Sequence, residues 1–99
     1  MSGENQHKQI IQVLAKFRAD LIWDQVIGIF DKIPQLTKQA VERQYQSALE
    51  AASTKLGIAV YELEAEIEDL AVEMVNGQAY SPEDVRKRLK EYGIEENQN

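Results

Sequence analysis

No cysteine occurs in the chain, which excludes disulfides, thiolate metal sites and cysteine nucleophiles. Histidine is nearly as scarce: His7 is the single one, and it lies in a polar leading segment poorly suited to holding a general base in place. There is no P-loop, no dinucleotide-type glycine pattern and no HExxH, and the serines lack the neighbours that make a nucleophile. Enzyme activity is therefore not expected, and no cofactor or metal is called for. No apolar run approaches the roughly 20 residues that span a bilayer. The opening MSGENQHKQ is not a charged lead into an apolar core, so the chain is read as soluble, cytoplasmic and without a membrane partner. Positive charge is also short: 11 Lys and Arg face 17 Asp and Glu, for a net charge of -6. That balance disfavours overall attraction to nucleic acid and favours encounters with basic partners.

What is present is helical periodicity. Strand-like alternation is absent, and two prolines and five glycines leave few joints, so the fold class expected is all-α, a small bundle of four or five helices. Ninety-nine residues suit one domain, residues 1–99 with frayed ends at about 1–5 and 95–99. At this size a homodimer often supplies burial that a monomer lacks. Gly57 and Gly77 are expected to end helices at about 35–56 and 59–76. The last helix has the clearest signals. Ser81 caps it, Pro82 suits its first position, Asp84 completes a capping box, and Gly93 stops it with Ile94 folding back onto Leu89.

In the first third of the chain the apolar face changes sides when residues are placed at about 100° intervals. Ile10, Val13, Leu14, Phe17 and Leu21 form one stripe, while Ile22, Trp23, Val26, Ile27, Phe30 and Ile33 cluster nearly opposite. Either the helix breaks near Asp20, which then serves as a fresh cap, or it runs on and shows its two faces to different partners. A single helix over 6–32 would be roughly 40 Å long, which favours a break or a dimer. Gly28 reads either as a tolerated helical glycine or as a point of close helix approach. The second stripe supplies a candidate homodimer interface of Trp23, Val26, Ile27 and Phe30, with Trp23 as anchor. Tyr45, Tyr61, Tyr80 and Tyr92 are expected at the core or its edge.

Residues 51–70, AASTKLGIAVYELEAEIEDL, have the apolar spacing of two helices joined at Gly57, and in that spacing the segment resembles the helix-turn-helix of small bacterial regulators. Its second helix carries the wrong charge for a DNA reader. Glu62, Glu66, Asp69 and Glu73 line one side and Glu64 and Glu68 another, with no Lys or Arg between 59 and 75. The carboxylates lack the spacing of a calcium loop or a di-iron bundle. If they are more than a solvated face, they suit a basic protein partner. Arg86, Lys87, Arg88 and Lys90 make the last helix locally basic, which complements its dipole and also suits phosphate. The function expected is a non-enzymatic regulatory or scaffolding protein-protein interaction module, a homodimer. The alternative is a helix-turn-helix-like DNA-binding regulator that touches phosphate through the last helix.

Overall fold

The computed structural model describes residues 2–78 and 81–94, with side chains from Asn5 onward. Within them the chain forms four α-helices and one short 3₁₀ turn: α1 (Ser2–Val26), the turn (Ile29–Asp31), α2 (Gln35–Leu56), α3 (Val60–Asn76) and α4 (Pro82–Glu91). No strand occurs among the described residues. The fold is thus an all-α bundle with a helical hairpin at Gly57, as the periodicity and glycine positions imply. Of the frayed ends expected, residues 95–99 lie outside the described residues, and α1 begins at Ser2.

Of the two alternatives for the first third of the chain, the break near Asp20 does not occur. Helix α1 runs through Asp20 to Val26 and stops at Gly28, whose φ of 84° lies in the left-handed region that costs an L side chain about 1–2 kcal/mol. Gly28 is therefore neither a helical glycine nor a point of close approach, since a Cβ built there meets nothing within 4 Å. It acts as the hinge that lets the chain reverse into Pro34 and α2. At the second reversal Gly57 takes a φ of 67°, the Ile58 amide donates to the Ser53 carbonyl at 3.2 Å, and the Ser53 hydroxyl donates to the Ile58 carbonyl at 2.5 Å. These bonds satisfy groups that the end of α2 would otherwise leave open.

The main core joins Ile11, Leu14, Ala15 and Ala19 of α1 to Leu49 and Ala52 of α2 and to Leu63, Ile67 and Ala71 of α3. Ala15, Ala19 and Ala71 are at most 1% exposed, and side chains this small let α1 and α3 pack backbone to backbone. Two stripe assignments need correction. Val13 points away from the core at 68% exposure, and Ile22 joins the main core instead of the second stripe. The alternating stripe reading had counted large residues and passed over the alanines that form the seam.

A second, smaller cluster lies beyond the end of α1. Ile29, Ile33 and Leu89 are buried, with Ile27, Phe30, Val85, Tyr92 and Ile94 packed around them. Helix α4 begins and ends as its local sequence dictates. The Asp84 amide donates to Ser81 Oγ at 3.2 Å, the Ser81 amide donates to Asp84 Oδ2 at 3.1 Å, and the Ile94 amide reaches the Leu89 carbonyl at 3.0 Å. α1 thus runs on unbroken against α2 and α3, while the α4 cluster packs on residues 27–33 beyond its end and is tied back to α1 at Asp24.

Candidate interaction surfaces

The one buried charge among the described residues is Asp24, which has no solvent exposure. It sits on the last turn of α1, and α4 brings Arg88 to it. Arg88 Nε donates to Asp24 Oδ1 at 2.8 Å and Nη2 donates to Oδ2 at 2.9 Å, a two-pronged pair that matches the planar guanidinium to the planar carboxylate. The Tyr92 hydroxyl also donates to Oδ2, and Arg88 lies 5.0 Å from the centre of the Tyr92 ring. Arg88 Nη1 continues to Glu91 at 2.8 Å. Burial would by itself make the guanidinium easier to deprotonate, but its bonds to Asp24 and the charge of that carboxylate outweigh this and hold it more firmly protonated than usual. Burial, followed by the bond to Asp24, pushes the Tyr92 phenol well above its ordinary range. Both carboxylate oxygens of Asp24, all three guanidinium nitrogens of Arg88 and the Tyr92 hydroxyl are engaged within the molecule. The network fastens α4 to the end of α1.

This arrangement redistributes the basic residues expected to act together. Arg86, Lys87 and Lys90 are exposed, while Arg88 is turned inward onto Asp24. Lys16 of α1 and Lys87 of α4 share a surface depression with Asp20, Asp84 and Glu91, so carboxylates interrupt the positive surface there. The set Trp23, Val26, Ile27 and Phe30 is divided in a similar way. Ile27 and Phe30 pack onto the α4 cluster, Trp23 is half-buried, and Val26 is 67% exposed. The apolar surplus read from residues 21–33 is mostly covered by the chain's own last helix.

On α3 the buried residues Leu63, Ile67 and Ala71 divide the acids into two flanks, as helical spacing requires. Glu62, Glu66, Asp69 and Glu73 are exposed along one flank, where the His7 ring nitrogen lies 3.4 Å from Glu66. Glu64 and Glu68 occupy the other, where Arg18 Nε donates to Glu68 at 2.9 Å. Glu62, Glu64, Asp69 and Glu73 have no cation partner among the described residues. No grouping of three or more His, Asp or Glu side chains suited to a metal ion occurs among the described residues.

The second flank has a feature that residue spacing alone did not show. Helices α1, α2 and α3 enclose an open groove of about 550 Å³ whose walls include Tyr45, Tyr61, Glu42, Glu64, Glu68 and Arg18, with Leu21 below. Tyr45 is anchored by an edge-on contact with Phe17 at 5.4 Å between ring centres. Its phenol is raised by burial, with Arg18 pulling it down and Glu64 and Glu68 adding to the rise. Tyr61 is 72% exposed and stands at the rim. Tyr92 belongs to the Asp24 network, and Tyr80 lies outside the described residues. The groove was detectable in principle, because Tyr61, Glu64 and Glu68 recur at helical intervals, but Glu42 and Tyr45 come from another helix and Arg18 from a third. Comparison with known protein families, with curated proteins and with solved structures finds no match for this chain.

Proposed function

We propose that this chain is a non-catalytic helical module that binds a basic protein partner through α3 and associates as a homodimer. The observation that supports it best is the repetition of like charges one turn apart on α3: Glu62 with Glu66, Glu64 with Glu68, and Asp69 with Glu73. Each such pair weakens the helix by a few tenths of a kcal/mol. A basic surface laid against them removes that repulsion on binding and speeds encounter as well. Self-association is supported by Val26, which is left 67% exposed beside the half-buried Trp23 at the end of α1.

The test is recovery of partners from the native host with wild type and with a variant carrying Glu62→Gln, Asp69→Asn and Glu73→Gln, at low and high salt. Basic proteins released by salt and lost from the variant are the expected result. Retardation of duplex DNA that disappears when Arg86, Lys87 and Lys90 are replaced by Gln would overturn it in favour of a phosphate-binding role. Sedimentation equilibrium is expected to show a dimer, and a monomer persisting at high micromolar concentration removes that part of the proposal.

A further inference from the structure

We infer that the groove between α2 and α3 is a seat for an arginine side chain carried by the protein partner, an assignment that rests on α3 being the partner-binding helix. The molecule already shows the chemistry in miniature. The guanidinium of its own Arg18 lies in this groove on Glu68, close enough to Tyr45 for its charge to act on that phenol. Arg18 offsets one carboxylate, which leaves Glu42 and Glu64 on the same walls without a cation partner among the described residues. An incoming guanidinium would pair with Glu64 and lie against the exposed ring of Tyr61.

Arginine fits these walls better than lysine. Its planar head is more weakly hydrated, stacks on an aromatic face and meets a carboxylate with two donors, whereas an ammonium is a compact and strongly hydrated point charge. Its apolar stem would cover Leu21 and the ring faces. Among the described residues the opposite flank of α3 has acids but no Phe, Tyr or Trp wall, so it attracts positive charge without distinguishing its shape. That difference separates a built seat from general attraction.

The experiment uses the full chain with two synthetic peptides, one bearing arginines spaced by Gly and Ser and the other with lysine at the same positions, followed by fluorescence anisotropy. The arginine peptide is expected to bind several-fold more tightly than the lysine peptide. Tyr61→Leu and Glu64→Gln should each weaken it about fivefold, and Tyr61→Phe should keep the affinity because the ring face remains. Both positions are exposed, and circular dichroism checks that the helices persist. The pair Asp69→Asn and Glu73→Gln, on the other flank, should weaken the arginine and lysine peptides alike, by about twofold, because those acids attract charge without distinguishing its shape. Equal losses from both flanks, or equal binding of the two peptides, overturn the groove while leaving an acidic partner-binding helix intact. Failure of both peptides to bind at low salt overturns the groove and that reading together.

Discussion

At Asp24 a carboxylate with no contact with water has both oxygens engaged by groups from a single neighbouring helix, so the side chain cannot be shortened without leaving Arg88 and Tyr92 facing each other across an empty acceptor site. Breaking one partner of a buried pair costs about 3–5 kcal/mol. Here the loss is bounded by the free energy that holds α4, because the helix can release and hydrate its groups. Asp24→Ala is therefore expected to free α4 while α1, α2 and α3 stay folded, seen as Leu89 and Val85 resonances moving to exposed values in NMR spectra. Replacing the pair by Asp24→Leu with Arg88→Met should cost less than Asp24→Ala alone, since no charge is then left unmatched. Tyr92 adds a pH dependence. Its phenol is raised in the native state by burial and by its bond to Asp24, whereas in the unfolded chain it ionises near its ordinary value of about 10. Above that pH the unfolded chain binds fewer protons than the native one, so stability falls as pH rises. Urea unfolding between about pH 9 and 11 should show that decline for wild type and a flatter one for Tyr92→Phe, leaving what Tyr45, also raised by burial, contributes. None of this was legible in the sequence. Asp24 sits amid Ile22, Trp23, Val26 and Ile27, and a lone acid on an apolar stripe hints at a buried partner, but that partner lies 64 positions away.

Among the elements, the best forecast parts are those governed by neighbours a few residues apart. The capping box of Ser81 and Asp84, the Ile94 return onto Leu89 and the end of α2 at Gly57 all follow from local bonding that the sequence spells out. Ser81→Ala is expected to lower stability of α4 by about 1 kcal/mol. Gly57→Ala should cost about 1–2 kcal/mol by denaturant unfolding, because φ there is left-handed although there is room for the added methyl. The end of α1 was harder to read. Gly28 interrupts an apolar pattern that continues through Phe30 and Ile33, and periodicity does not register that the backbone has already turned. The close pairing of α1 with α3 was equally hidden, since Ala15, Ala19 and Ala71 contribute proximity and not bulk.

Over the whole molecule, the two clusters make two units of unequal strength. The main core draws on three helices and buries Leu49, Leu63 and Ile67 completely, each worth about 1.5–3 kcal/mol. Helix α4 has one fully buried apolar residue, Leu89, and is held by the small cluster around it together with the Asp24 network. Amide exchange is therefore expected to release α4 through openings well below global unfolding, while the centres of α1 and α3 exchange only on complete unfolding. Equal protection of both would show a single cooperative unit. The described chain is extended, at 54 × 29 × 20 Å with a radius of gyration of 15.1 Å against about 13 Å for a compact domain of this length. No single periodic stripe foretold that length, because it depends on where α1 stops and where α4 attaches. The ionic attachment of α4 also carries a thermal consequence. Exposing apolar surface raises heat capacity and exposing polar groups lowers it, so releasing α4, which frees a carboxylate, a guanidinium and a phenol along with the apolar cluster around Leu89, involves a smaller change in heat capacity than that apolar area alone would give. The free energy of that release should therefore curve less with temperature than the stability of the apolar core, which weakens in the cold. Chilling would then narrow the gap between the two units from the side of the core, and calorimetry of wild type and the Asp24→Leu, Arg88→Met pair would show the replacement restoring curvature to α4.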